Sequence, residues 1–244
     1  MPMRYRFREV LASLPPEKRR SDGTVSRFLH RPLSYPVAWA LLNAGVTPNQ
    51  ATYASAFLCV AGLALALMPV PVAHWAAIAC FFAFGTLDCA DGTMARTIRA
   101  RDPSAGSGPW GEWVDALGGY IAYATILIAL GRSADLVAAG GVPGPAGMIP
   151  PGSWTVVGAI ASTANLVMRL AFQSFRVVSG DSGRSGVSGE KRLSEEIGIT
   201  GWLQPLYAVG LATGFLPYVL VAYAAVFVGG GFITVARLAK KAGK

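Results

Sequence analysis

Between residues 49 and 237 the sequence returns repeatedly to apolar stretches of about twenty residues, the length a helix needs to cross the hydrocarbon core of a bilayer. These stretches are continuous and do not alternate in polarity, which selects helices over the strands of a barrel. Charged residues make up 14% of the 244 positions, where a soluble domain carries about 25%, and this argues against a water-soluble enzyme. The expected fold is an all-α integral membrane protein with six transmembrane helices, at roughly 49–69, 73–96, 111–131, 153–176, 200–216 and 218–237. The fifth span is the weakest, being short and containing Pro205.

Residues 1–47 precede these spans as an N-terminal cytoplasmic segment, and 48–244 form the membrane domain. In "RYRFREVLASL" Phe7, Val10, Leu11 and Leu14 recur at helical spacing with arginines between them. That pattern predicts an amphipathic interfacial helix lying on an anionic lipid surface. "PLSYPVAWALLNAG" (32–45) is too short to span and also reads as interfacial, and Pro48 opens a new element after a break at Gly45. No apolar core precedes residue 33, so a cleavable signal peptide is not expected. Placing both termini, the segment after the second span and the loop after the fourth on one side collects 20 of the 21 Lys and Arg there, leaving Arg132 opposite. The positive-inside rule makes that side cytoplasmic, in a multi-pass protein of the cell membrane. The net charge of +8 is thereby a matter of topology, and no nucleic-acid partner is expected.

Acidic residues are few within the spans: Asp88, Asp91, Glu112 and Asp115. A carboxylate inside a span costs a few kcal/mol and is a functional-site hypothesis by default. Asp88, Asp91 and Ala95 share one helix face, with Gly92 beside them leaving room for a bulky ligand. Asp115 opens the third span at the same cytoplasmic depth. Three carboxylates in one small site repel unless a cation neutralises them, and oxygen-only ligands favour Mg²⁺ or Mn²⁺. For any one of these aspartates, the plainer reading is a helix-end carboxylate facing headgroups beside an arginine.

The string "DCADGTMAR" followed by "GEWVD" resembles the D-x-x-D-G-x-x-A-R, G-x-x-x-D signature of the CDP-alcohol phosphotransferases. Asp88, Asp91, Gly92, Ala95, Arg96, Gly111 and Asp115 match it in order, and "VTPNQAT" (46–52) is similar to an element before the family's first span. The resemblance implies six spans and a homodimer. It also implies a cytoplasmic active site at which a hydroxyl attacks a phosphorus of a CDP-linked alcohol and releases CMP. It implies Asp88, Asp91 and Asp115 as ligands of a divalent metal cofactor. Asn49, Thr52, Asp88, Gly92, Ala95, Arg96 and Gly111 would line the nucleotide site. The implied role lies in phospholipid biosynthesis, transferring a phosphatidyl group from CDP-diacylglycerol to a small hydroxylated acceptor. Transfer of a head group from a soluble CDP-alcohol to a lipid hydroxyl is the alternative.

Two departures from that pattern bear on catalysis. The family's fourth aspartate, four residues after the third and implied as base, is Gly119 here, and "DPSAGSGPW" (102–110) lengthens the spacing before Gly111. Glu112 is the nearest substitute base, or else a solvated helix-start carboxylate; with Asp115 it forms the candidate catalytic pair. A non-catalytic nucleotide-binding relative stays open for the same reason. In the fourth span Ser162, Asn165, Arg169, Gln173 and Arg176 form a polar stripe, and Arg169, Gln173 and Arg176 are candidate ligands for a phosphate or carboxylate on the acceptor. Lys191 and Arg192, in the Gly/Ser-rich loop 177–196, are further cations near it. Cys59, Cys80 and Cys89 have no metal-ligand spacing and read as packing residues. His30 and His74 read as interfacial, and the six tryptophans as an aromatic belt near span ends. "VGGGF" (228–232) is a weak candidate for a dimer seam.

Overall fold

The computed structural model describes residues 5–105, 108–141, 148–179 and 195–242, and every regular element among them is helical. Residues 106–107 of the insertion, 142–147 of the external linker, and Lys191 and Arg192 lie outside the described residues, as does the side chain of Arg176. Two short helices, α1 (Phe7–Ala12) and α2 (Pro16–Ser21), lead through a π-helical turn at Ser26–His30 into α3 (Arg31–Asn43). Then come α4 (Pro48–Ala66), α5 (Pro71–Arg101), α6 (Gly108–Ala139) and α7 (Ser153–Ser179). A second π-helical turn, Ile199–Leu203, precedes α8 (Gln204–Thr213) and α9 (Leu216–Ala242).

Five of these helices, α4 to α7 and α9, are long and apolar enough to cross a membrane. They coincide with five of the six expected spans. The remaining one, 200–216, becomes the π-helical turn and the ten-residue α8. Ten residues rise about 15 Å, half of a bilayer's hydrocarbon thickness. The backbone explains the shortfall: Gly201 departs from helical angles (φ −94°, ψ −142°) before α8, and Gly214 at φ +81° stops it.

The start of α4 follows directly from "NAGVTPNQ". Gly45 N–H bonds to Leu42 O (3.2 Å) and Val46 N–H to Leu41 O (3.0 Å), a Schellman ending for α3. Thr47 and Gln50 then close a capping box. Gln50 N–H donates to Thr47 Oγ1 (3.3 Å) and Thr47 N–H to Gln50 Oε1 (2.9 Å), with Pro48 in the first helical position.

The chain divides into two compact units, one drawn from residues 1–61, 79–122 and 187–204, the other from 62–78, 123–186 and 205–244. In the first unit α1 is tied to α3: Tyr5 N–H donates to Asn43 Oδ1 (2.9 Å) and Trp39 Nε1 to Tyr5 O (3.0 Å). The apolar stripe expected of α1 divides. Val10 and Leu14 are buried, Val10 among Ala38, Leu42, Ala90 and Met94, while Phe7 and Leu11 remain exposed. His30 is buried in this unit and does not sit at an interface. Its Nδ1 lies 3.3 Å from Thr86 Oγ1, and the ring fits because residue 85 is glycine, where a Cβ would come within 2.8 Å of it.

In the second unit α6 and α7 meet backbone to backbone at Gly131 and Gly158, where a Cβ would lie 2.4 Å from Trp154 O and 2.3 Å from Leu127 O respectively. Asp135, near the end of α6, binds the first turn of α7. It accepts from the N–H groups of Gly152, Trp154 and Thr155 at 2.8 to 3.1 Å and from the Thr155 hydroxyl at 2.6 Å. Trp154 is accordingly buried, unlike the other five tryptophans, which are exposed as a belt would be. His74 is also buried, with Nδ1 2.6 Å from Ser133 Oγ and Nε2 3.0 Å from Met68 O; Ser133 Oγ is in turn 2.6 Å from Tyr207 Oη. Both histidines are buried, each with its Nδ1 met by a hydroxyl from far along the chain, Thr86 for His30 and Ser133 for His74, a signal invisible in local spacing. Along α9, Gly230 and Gly231 face Met168 and Ala164 of α7 in the same chain. At Gly229 of the same "VGGGF" stretch a Cβ would meet nothing within 4 Å.

Candidate active site

Three helices of the first unit supply the site: the first turns of α4, the second half of α5 and the first turns of α6. They line an open cavity of about 170 Å³. Asn49 and Thr52 line it from α4; Asp91, Gly92 and Ala95 from α5; Gly111, Glu112 and Asp115 from α6. Eight sequence-predicted residues thus share one wall, with Pro48 the one unpredicted addition. Asp88 and Arg96 do not line the cavity.

Asp91 is buried, and the Thr52 hydroxyl donates to its Oδ2 at 2.6 Å, joining α4 to α5. Such a short bond to a carboxylate is charge-assisted and orients it. Among the described residues no three His, Cys, Asp or Glu side chains are gathered closely enough to form a ready-made metal site. Arg96 folds back toward Gly92 and donates through Nη2 to Thr93 Oγ1 (3.1 Å), while its buried Nε has no partner among the described residues. Glu112 and Asp115 are exposed on α6. At Gly119 a Cβ would meet nothing within 4 Å, whereas at Gly118 it would lie 3.1 Å from Thr52 Cγ2.

The acceptor candidates lie in the second unit. Arg169 donates through Nε to Asn165 Oδ1 (2.9 Å), with its guanidinium 3.9 Å from the centroid of the Tyr123 ring. Stacking on an aromatic face suits a guanidinium and holds it in place. Ser162 continues the stripe, 3.3 Å from the carbonyls of Tyr123 and Ala124. Gln173 is exposed two turns past Asn165, and Arg176 follows on the same helix.

A group of residues outside the motif borders α5. Arg31 is buried; its Nε donates to Asp22 Oδ2 at 2.7 Å, and its Nη1 to the carbonyl of Cys89, next to Asp88, at 3.1 Å. Lys18 Nζ is 3.0 Å from Asp22 Oδ1 and 4.0 Å from Glu195 Oε1. Burial alone would raise the pKa of Asp22, but the hydrogen bond and charge of Arg31, aided by Lys18, outweigh it and hold the carboxyl below its usual value. Glu196 accepts from Thr24 N–H (2.9 Å) and Oγ1 (2.8 Å), fastening residues 18–31 to the segment entering the second π-helical turn. The sequence signal for this clasp was confined to charges scattered through the N-terminal segment. Comparison with protein-family models and with curated proteins finds no match for the chain.

Proposed function

We propose that this chain is a membrane-embedded CDP-alcohol phosphotransferase that moves a phosphatidyl group from CDP-diacylglycerol to a small hydroxylated acceptor and releases CMP. One observation carries the reading. Asp91 with Gly92 and Ala95, and Gly111 with Asp115, are motif residues from two separate helices, and they line a single cavity together with Asn49 and Thr52.

Two of the proposed ligands fit a hard divalent cation: Asp91 and Asp115 border the cavity and offer oxygen donors alone. Held by Asp88, Asp91 and Asp115, Mg²⁺ or Mn²⁺ would supply neutralisation of the diphosphate and so a better CMP leaving group. The protein's own groups do the rest. Thr52 fixes the orientation of Asp91 through its 2.6 Å hydrogen bond. Gly92, Ala95 and Gly111 leave space for the nucleotide, and Arg96 offers a guanidinium whose Nε has no partner among the described residues. The acceptor oxygen bonds to the phosphatidyl phosphorus as the bond to CMP breaks, and Glu112 takes the hydroxyl proton in place of the missing fourth aspartate. Arg169, Gln173 and Arg176 of α7 are the candidate ligands for an anionic acceptor. The proposed setting is a homodimer with six membrane passes, α8 completing the set as a short one, both termini cytoplasmic and α1 lying in the interface.

Purified protein supplied with CDP-diacylglycerol, Mg²⁺ and a panel of polyol and phosphorylated polyol acceptors should release CMP, and Asp91→Asn should stop it. Label placed in the diacylglycerol or in the head group of a CDP-alcohol distinguishes the two donor polarities. Metal-dependent CDP binding without CMP release from any acceptor would instead favour a non-catalytic relative, the reading that the open position at Gly119 supports.

A further inference from the structure

A threonine inside a helix can turn its hydroxyl back to the carbonyl four residues earlier. Thr93 of α5 does so, donating through Oγ1 to the carbonyl of Cys89 at 2.8 Å. A hydroxyl has one proton, so the Thr93 oxygen keeps only its capacity to accept. Arg96, three residues on, fills that capacity by donating through Nη2 at 3.1 Å. Both directions are forced, because a carbonyl cannot donate and a guanidinium cannot accept. Arg31 donates to the same Cys89 carbonyl through Nη1 at 3.1 Å and is itself held by Asp22 at 2.7 Å. Thr93 is fully buried, so water does not compete for its hydroxyl.

The guanidinium held in this way stands over Gly92, where a Cβ would lie 3.2 Å from Nη1 and 3.8 Å from Cζ. Gly92 lines the cavity together with its neighbours Asp91 and Ala95. Among the described residues no carboxylate pairs with Arg96, and Asp91 is engaged by Thr52 instead. The buried Nε has no partner among the described residues either. A half-buried guanidinium of this kind has lost hydration without gaining a counter-charge. A phosphate brought in from outside supplies one, and its oxygens match the fork of N–H donors that Arg96 still has to offer. The threonine hydroxyl, being neutral, fixes the group without consuming its charge, as a carboxylate in the same place would.

We propose that Thr93 is a positioning residue: its hydroxyl, oriented by the Cys89 carbonyl, holds Arg96 over Gly92 to donate to a phosphate oxygen of the bound nucleotide. The inference rests on the phosphotransferase reading and adds to it a residue at one of the motif's unspecified positions.

The test is a double-mutant cycle on the full-length protein in detergent with Mg²⁺, read as CDP affinity by calorimetry. Thr93→Val keeps the shape of the side chain and removes the hydroxyl; it should weaken CDP about tenfold, the scale of one hydrogen bond to a charged group. Thr93→Ser keeps the hydroxyl and should restore most of the affinity. Arg96→Gln should itself weaken CDP, and adding Thr93→Val to it should bring no further loss. If Thr93→Val weakens CDP equally with and without Arg96, or if serine fails to rescue, Thr93 acts through packing and the proposal is overturned. It is equally overturned if Arg96→Gln costs no affinity, or if Thr93→Val binds CDP normally while Asp91→Asn has lost it. Should valine fail to give folded protein, judged by thermal unfolding, Thr93→Ala carries the same expectations. Failure of the unaltered protein to bind CDP would instead remove the phosphotransferase reading, and this inference with it.

Discussion

Lowering the pH from about 7.5 to about 5 should destabilise the fold through His30. The ring is fully buried, and burial, reinforced by the neighbouring charge of Arg31 and opposed by a hydrogen bond to Gln204, brings its pKa from 6.5 down to about 4. Unfolded, the imidazole regains its ordinary value, so between these limits the unfolded state binds more protons than the folded one. Stability is then complete above about pH 6.5 and is lost as the pH falls toward 4. At about pH 5 the loss amounts to about 2 kcal/mol, or about 4 to 8 °C in thermal midpoint for a chain of this length.

Carboxylates titrate over the same range, so the informative quantity is a difference of differences. Thermal unfolding in detergent, followed by tryptophan fluorescence, is measured at both pH values for the unaltered protein and for His30→Gln. Glutamine retains a hydrogen-bonding group toward Thr86 but no basic one. The unaltered protein should lose about 2 kcal/mol more than the variant on acidification. Parallel losses would refute the argument, because the imidazole would then be protonated without cost in its folded setting.

Three further outcomes follow from the same geometry. Thr52→Val removes the hydroxyl that donates to Asp91 at 2.6 Å and should slow CMP release at least tenfold, the worth of about 1.5–3 kcal/mol for a bond to a charged group; an unchanged rate in a coupled CMP assay would remove Thr52 from its positioning role. Gly118→Ala presses on Thr52 Cγ2 at 3.1 Å and should reduce CMP release, whereas Gly119→Ala, with nothing within 4 Å, should leave thermal stability unchanged or raise it by up to about 1 kcal/mol. Asp135→Asn weakens the cap on α7 and should cost about 1–2 kcal/mol, read as a lower thermal midpoint.

The cavity residues were legible because each contributing piece is local. Asp91 and Ala95 share a face by helical spacing, and Thr47 to Gln50 announce the start of α4 in four letters. What escaped depends on partners far along the chain. Arg31 reads as one more basic residue in a basic segment, yet it is buried because Asp22 and the carbonyl of Cys89 receive it. Asp135 fell beyond the expected end of the third span, and only the continuation of α6 to Ala139 makes it the cap of α7. Helix α8 ends at Thr213 where hydropathy carried the expected span on to 216, because Gly214 at φ +81° leaves helical geometry. Periodicity reports which face is apolar; it carries no information about which distant polar atom will arrive there.

The Thr47–Gln50 cap holds the turn from which Thr52 reaches Asp91. Fraying of those few residues would release the aspartate without disturbing the rest of α4, since helix ends open at far lower cost than helix middles. The amide protons of Ala51 and Thr52 therefore act as a local gauge. Their rate of exchange with solvent deuterium measures how often the carboxylate loses its anchor, and slower exchange in the presence of CDP would mean that nucleotide binding and closure of that turn are one event.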